Sequence, residues 1–509
     1  MKRKGAVYLV GAGPGDPGLL TLRGAELLKN ADVVVHDALV NPALVKLASK
    51  SAEIIYAGKR SGHHAIPQDD LNQLLVNHAK AGKTVVRLKG GDPYVFGRGG
   101  EEAEELAKAG VQFEVIPGIS SIIAAPGYAG IPVTHREHSS VFTVITGHED
   151  PTKEGSSVDW AQLARTPGTK IILMGAERIR VIADALMQHG LSPTTPAAMV
   201  RWGTTGQQQT ITGTLKDIAG RAQEANLTAP AITVIGEVIE LREKLNWFEK
   251  RTLFGQRIVV TRSRDQASEL ARKLLDRGAD VLDIPTIKIA QPQNVGDLVD
   301  AIMGLNAYDW LVFTSPNGVK AFFDYFFKAF DDVRAIGGLR IAAVGPSTAA
   351  AVRSFHLNVD VMPEKYVSSA IVKALGDYQS LDNVRILLMR AEVANREITA
   401  KLEERGAIVD DVACYRTVPE TEDELGVAAD FLEKGADWLT FTSASTVENF
   451  HNRFNLPEVA KRFPNLKFAS IGPETTKKLL EHGLKPTTEA DPHNLDGLVS
   501  AIEKALKRR

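Results

Sequence analysis

Three glycine-rich stretches, each set directly after an apolar run, hold the residues best suited to chemistry in the first half of the chain. GAGPGDPG (residues 11–18) follows Ala6-Val7-Tyr8-Leu9-Val10, GGDP (90–93) follows VVRLK, and PGISS (117–121) follows Glu114-Val115-Ile116. Glycine lets a ligand approach the backbone closely, and strand C-termini in α/β sheets open on a common crevice. The first stretch approaches the G-x-G-x-x-G of a dinucleotide loop, but Asp16 stands where the third glycine belongs. Pro14 also removes an N–H that a pyrophosphate would use. Against this, Asp37 closes VVVHD near the spacing at which dinucleotide enzymes bind a ribose hydroxyl. The loop alone leaves three readings open: a nicotinamide oxidoreductase, a plain turn, or a site for a nucleoside-like ligand lacking pyrophosphate, which suits it best.

The second half carries no clear nucleophile–base pair, phosphate loop or metal cluster. It offers paired hydroxyl motifs instead: FTSPNGV (313–319) returns as FTSASTV (441–447), and VGPST (344–348) as IGPET (471–475). Loops of this kind present hydroxyls and N–H groups at helix N-termini, which favour carboxylates; N-capping by Ser and Thr is the plainer role and is compatible with the first. Cys414 lacks an evident base partner and reads as a small buried apolar residue.

These residues must be positioned by elements of alternating type. Short β-branched runs such as Val33-Val34-Val35 and Ile258-Val259-Val260 alternate with amphipathic helical stretches, which predicts an α/β fold with largely parallel sheets. The length of 509 residues calls for several domains. A charged, aromatic stretch, LNWFEKRTLFGQ (245–256), marks a boundary, giving domains 1–249 and 256–509. The second half is duplicated: IVVTR (258–262) recurs as ILLMR (386–390) and RGA (277–279) as RGA (405–407), at the spacing of 128 residues that also separates the FTS motifs. Two similar lobes with a cleft between them follow, and such clefts are preferred ligand sites. The aromatic run FFDYFFKAF (322–330) reads as a core helix.

Bulk properties exclude several classes. Sixty basic and 62 acidic side chains leave a net charge of −2, so nothing draws the chain as a whole to nucleic acid or anionic membrane. A single cysteine excludes internal disulfides and thiolate clusters. MKRKG leads into a strand-like run, not a signal segment, and no apolar stretch reaches the roughly 18 residues of a membrane span. A cytoplasmic location is expected.

GAGPGDPGLLTLRG, VVHDALV, GKRSG, VRLKGGDPYVFGRGGEE, PGISS, GIPVTHR, ITGH and IGEVIELREKLNWF resemble the uroporphyrinogen-III C-methyltransferases of the tetrapyrrole methylase family, over about residues 5–248. The resemblance implies a two-lobed α/β module that transfers methyl groups from S-adenosylmethionine to carbons 2 and 7 of uroporphyrinogen III, giving precorrin-2. By motif, Pro14, Gly90, Gly91, Asp92, Val95, Ser120, Ser121, Met174 and Gly203 would contact S-adenosylmethionine. Ser120-Ser121 departs mildly from the family's Thr-Ala or Thr-Ser while keeping a small hydroxyl. Asp37 and Lys59 match the proposed proton acceptor and donor; the plainer readings are a helix cap and a solvated charge. Methylating a pyrrole carbon gives a cationic ring that must lose a proton, so a placed carboxylate is chemically useful. A carboxylate-rich substrate needs cations, for which Lys59, Arg60, Lys89, Arg98 and Arg136 are candidates. His63 and His64 lie nearby, without metal-ligand spacing, and no metal is expected.

VVTR, FTSPNGV, AVGPSTAAAV, CYRTVPE, FTSASTVENF and ASIGPETTKKLLEHGL resemble uroporphyrinogen-III synthases, over about residues 256–506. The implied reaction takes linear hydroxymethylbilane, removes water, inverts the last pyrrole ring and closes the macrocycle. Tyr415 matches the tyrosine that helps the hydroxyl leave; Ser315, Thr348, Ser443 and Thr475 are the matching hydroxyls, and Lys467 a carboxylate contact. In the duplication Tyr415 falls opposite Ile287, so one lobe alone carries the phenol. The family's lobes are discontinuous, predicting 256–286 plus 418–509 as one and 287–417 as the other.

The product of the second module is the substrate of the first, so the resemblances together imply a bifunctional enzyme feeding siroheme or cobalamin synthesis. The family also implies a homodimer through the methyltransferase domain. The alternatives are an active methyltransferase with a C-terminal binding module and, less favoured, the oxidoreductase. Nothing resembles the precorrin-2 dehydrogenase/ferrochelatase part of some siroheme enzymes.

Overall fold

A computed structural model of the chain describes residues 5–58, 66–148, 158–262, 264–364, 368–393, 396–423 and 425–507. The β-branched runs become strands of four five-stranded sheets. The first sheet holds β1 (Ala6–Gly11), β2 (Val33–His36), β3 (Glu53–Tyr56), β4 (Thr84–Lys89) and β5 (Gln112–Ile116), all parallel in the order β3-β2-β4-β1-β5. β2 is buried along its whole length, as expected of a parallel strand covered by helices on both faces. The second sheet, mostly antiparallel, joins β6 (Phe142–Thr146), β7 (Thr169–Leu173), β8 (Pro196–Arg201), β9 (Gln209–Thr214) and β10 (Ala231–Ile235) in the order β6-β7-β10-β8-β9.

The second half contributes β11 (Arg257–Val260), β12 (Asp280–Asp283), β13 (Ile287–Ala290), β14 (Trp310–Phe313), β15 (Arg340–Ala343), β16 (Arg385–Ala391), β17 (Ile408–Pro419), β18 (Trp438–Phe441), β19 (Lys467–Ser470) and β20 (Thr488–Glu489). They form a parallel sheet β12-β11-β18-β19-β20 and a second sheet β13-β17-β16-β14-β15, antiparallel only between β13 and β17. The sequence repeat reappears in the sheets: β12-β11-β18-β19 corresponds strand for strand to β17-β16-β14-β15. Each sheet therefore draws strands from both copies of the repeat. The chain crosses between the sheets at residues 284–286 and again just after β17. The Arg453 guanidinium donates to Pro285 O at the first crossing (3.0 Å) and to Thr421 O and Glu422 O at the second (both 3.1 Å), fastening the two together.

The aromatic run lies in the helix Pro316–Ala329, where Phe322, Phe323 and Phe326 are fully buried against β14 and β16 residues. Residues 245–256 form a packed joint instead of a loose linker. Tyr128, Trp247, Phe248 and Phe254 make edge and tilted ring contacts, while Leu253 enters the core of the following sheet. The halves also touch directly. Lys46 pairs with Asp283, Gln207 Nε2 donates to Asp280 Oδ2 at 2.9 Å, and a Cβ on Gly206 would overlap the Asp280 amide. Among the described residues no helix is long and apolar enough to cross a membrane.

Candidate functional site

The loops after β1, β4 and β5 meet at the C-terminal end of the first sheet. Gly13 and Gly91 form an isolated bridge, Gly13 N–H donating to Gly91 O at 3.2 Å and Gly91 N–H to Gly13 O at 2.8 Å. The backbones then close in until no side chain fits: a Cβ on Gly11 would stand 2.5 Å from Gly118 Cα, and one on Gly118 would overlap the Gly91 carbonyl. Asp92 binds the loops together, accepting from Tyr94 N–H (2.8 Å) with one oxygen and Gly118 N–H (3.0 Å) with the other. Both oxygens of this expected cofactor contact are thus engaged within the protein. Ser120 caps the helix Ser121–Tyr128, and Ser121 opens it. Gly203 packs so closely on Ala125 of that helix that a Cβ would overlap. Gly90, Val95 and Pro14 are half-buried beside these turns. Met174 follows β7 at φ +54° with 53% of its surface exposed, a strained backbone of the sort found at functional sites.

Asp16 explains the departure from the dinucleotide pattern. Its side chain accepts from Gly18 N–H (2.7 Å) and from the Tyr128 hydroxyl (2.7 Å), and its N–H donates to Thr204 Oγ1 (3.0 Å). It is a structural knot joining the first loop to the helix after β5 and to the Gly203 turn. Burial and the Asp16 bond raise the Tyr128 phenol well above its ordinary value.

Asp37, half-buried at the end of β2, is held at 2.5 Å by Arg87 Nη2. Arg87 Nε reaches Glu102 Oε1 at 3.2 Å, and Lys89 Nζ reaches the same oxygen at 2.9 Å. Glu102 is 0% exposed, and Gln68 also donates to it. Two cations and two carboxylates balance inside the domain, with only Asp37 reaching the surface. Lys89, expected on a substrate carboxylate, is 2% exposed and committed to Glu102; its position inside β4 turns it to the interior. Burial lowers its pKa, with Arg87 adding repulsion. Arg98 is exposed and clamps Glu101 through two hydrogen bonds, and Arg136 is exposed on a turn. Lys59, Arg60, His63 and His64 lie outside the described residues. Arg87 and Glu102 are absent from the sequence-derived set; the one available signal is an arginine within the apolar run VVRLK.

In the second half, the Tyr415 hydroxyl lies 3.0 Å from Ser315 Oγ, which also accepts from Gly318 N–H at 3.1 Å as the cap of its helix. Tyr415 is 8% exposed, and burial raises its phenol pKa, partly opposed by bonds to Ser315 and Asn317. Cys414 is buried, its Sγ donating to Arg390 O, and burial pushes the thiol up to about 12; it has the small apolar role expected. Thr348 is buried in the first turn of Pro346–Arg353, Thr475 likewise in Pro473–Glu481, and Ser443 caps Ala444–Phe454 in a capping box with Thr446. Each hydroxyl follows the C-terminal end of a strand. Lys467 does not join them. It starts β19, at the opposite, N-terminal end of the strand, with its ammonium 5.0 Å from the Trp438 ring centroid.

Comparison with known proteins matches two separate stretches of the chain. The family model for Tetrapyrrole (Corrin/Porphyrin) Methylases matches residues 6–219, and that for Uroporphyrinogen-III synthase HemD matches residues 268–500. The chain is 38% identical to the porphyrin biosynthesis protein HemD of Ruminiclostridium josui over 506 residues, covering 98% of this chain and 97% of that one. It is 54% identical to an S-adenosyl-L-methionine-dependent uroporphyrinogen III methyltransferase of Methanosarcina barkeri over 248 residues, 49% of this chain and 96% of that one. It is 42% identical to a uroporphyrinogen-III C-methyltransferase of Bacillus subtilis over 334 residues, 66% of this chain and 68% of the other.

Proposed function

The chain belongs to the tetrapyrrole methylases through its first half and to the uroporphyrinogen-III synthases through its second, and on that premise we propose that one polypeptide closes a tetrapyrrole ring and then methylates it. The end-to-end match to a single relative carries this reading. The second half cyclises hydroxymethylbilane to uroporphyrinogen III, and the first adds methyl groups at C2 and C7 to give precorrin-2, in the siroheme or cobalamin branch. The work belongs to the cytoplasm, in a homodimer joined through the methyltransferase half. Exposed Val141 and Phe142 beside and on the edge strand β6 support that pairing, which sedimentation as a 55.1 kDa protomer would remove.

The cradle fits S-adenosylmethionine because its three glycine-rich loops converge backbone to backbone and nothing in them requires a phosphate. Bound there, the cofactor supplies an electrophilic methyl group. Pro14, Gly90, Gly91, Val95, Ser120, Ser121, Met174 and Gly203 would hold it, with Asp92 fixing the loops around it. Asp37 takes the proton released when the pyrrole carbon is methylated, and Arg87 holds that carboxylate in place. In the second half Tyr415 donates its proton to the departing hydroxyl of hydroxymethylbilane. Ser315 fixes the phenol, and Thr348, Ser443 and Thr475 stand at strand ends where substrate carboxylates meet helix N-termini.

Hydroxymethylbilane and S-adenosylmethionine supplied anaerobically to the full chain should give a dimethylated type III product. Formation of the type I ring alone would sink the synthase assignment, and no dimethylation of added uroporphyrinogen III would sink the methyltransferase one. A narrower test addresses the cradle. Gly118→Ala forces a methyl group against the Gly91 carbonyl, and overpacking of this kind costs about 1–3 kcal/mol. Affinity for S-adenosylhomocysteine, measured by calorimetry, should fall about tenfold or more; unchanged affinity would separate these loops from the cofactor.

A further inference from the structure

The sequence gives no reason to expect a metal, but the fold assembles ligands for one outside both sites. His135, Glu137 and His138 each present a ligand atom, all within 4.8 Å of one another. They lie on a tight turn closed by a two-way bridge, with His135 and Ser139 exchanging N–H···O bonds of 2.8 Å each. The turn has a rigid base. Ser139 is buried, its Oγ donates to Val141 O at 2.8 Å, and it receives the Thr169 N–H at 3.0 Å at the start of β7. The two imidazoles face each other at 4.9 Å between centroids and 47° between planes.

A second carboxylate comes from a separate element. Glu237 opens the short 3-10 helix Glu237–Leu241 after β10, and its Oε2 lies 3.8 Å from His138 Nδ1. That separation is long for a hydrogen bond and close to the spacing of two ligands on one ion. Zinc bonds of about 2.0–2.2 Å in tetrahedral geometry place ligand pairs roughly 3.3 Å apart. Both carboxylates are exposed, so rotation of their side chains can bring them onto an ion held by the imidazoles. His135 Nδ1 accepts from the Glu137 N–H at 3.2 Å, a weak bond that an ion would displace. The exposed Arg136 inside the turn is the only cation it carries.

We propose that His135, Glu137 and His138, with Glu237 within reach as a further ligand, form a surface site for a borderline divalent cation such as Zn²⁺. Two imidazoles and two carboxylates suit Zn²⁺, Co²⁺ or Ni²⁺, whereas Mg²⁺ and Ca²⁺ prefer oxygen alone. An ion there ties the 135–139 turn to the 3-10 helix after β10 and fixes the backbone that carries Arg136. It stabilises the first half by binding the folded state selectively.

Full-length protein freed of metal with a chelator and titrated with ZnCl₂ alone should bind one equivalent with micromolar affinity. Co²⁺ should give the intense visible bands of a tetrahedral site, and zinc should raise the melting temperature. His135→Ala/His138→Ala should lose at least tenfold in affinity together with the cobalt bands, Glu137→Gln less. Circular dichroism of these exposed-turn variants checks that the fold survives. Two results overturn the proposal: no saturable equivalent in the parent, or full affinity in the folded double variant, which would put the ion elsewhere.

Discussion

Tyr415→Phe is expected to slow formation of the type III ring by about 10²-fold or more, the usual worth of a placed general acid. The substitution keeps the ring and its packing and removes only the hydroxyl. Ser315 retains its bond to Gly318 N–H, so the helix Pro316–Ala329 keeps its cap. Burial raises the phenol pKa above its ordinary value of about 10, so the group stays protonated across the neutral range and is suited to the proposed role of donor. Its contribution should not titrate between about pH 6 and 9 for that reason. Uncatalysed closure of the linear substrate gives the type I ring, so the isomer ratio separates lost catalysis from lost binding. A type III rate within twofold of the parent would remove Tyr415 from the reaction.

The largest effect on stability should come from Glu102→Gln. The change preserves shape but deletes the charge shared by Arg87 and Lys89, both almost fully buried. Breaking a buried pair from one side costs about 3–5 kcal/mol, because a charge is left without its counterpart. For a domain of this size that is roughly 10 °C in melting temperature. Calorimetry should show the loss in the methyltransferase half alone. Lys89→Met added to Glu102→Gln should recover part of it by removing one orphaned cation. A melting temperature within about 2 °C of the parent would mean that the cluster is hydrated and inconsequential. Because Arg87 also holds Asp37, methyl transfer should fall in the same variant, linking the buried cluster to the proposed base.

What the sequence revealed divides by distance along the chain. The glycine turns and the strand runs depend on residues a few positions apart and stand where their patterns predict; of the hydroxyls read as caps, Ser315 and Ser443 cap their helices, whereas Thr348 and Thr475 sit in the first turn behind Gly345 and Gly472. The duplicated strands were legible because a repeat preserves order. Asp16 was not, because the Tyr128 hydroxyl that explains it lies 112 residues away. Lys89 was misread for a related reason: motif position puts it near the substrate, but the partner that draws it inward, Glu102, sits on the following helix. Lys467 stands at the wrong end of its strand, a distinction that similarity of motifs does not register. His135, Glu137 and His138 lie within four residues, but only the turn closed by His135 and Ser139 brings their ligand atoms together.

The crossings fastened by Arg453 have a consequence for how the protein is made. The β13–β17 sheet is contiguous in the chain and can close as soon as it leaves the ribosome. The other sheet begins first but must wait: Arg257 N–H donates to the Asp437 side chain, 180 residues further on. At about 5–20 residues per second, β11 and β12 spend roughly 10–40 s with an open edge before β18 arrives. The unit started earlier is completed later, and in that interval the nascent chain exposes the strand edge most open to wrong pairing. A chaperone should find its strongest binding there.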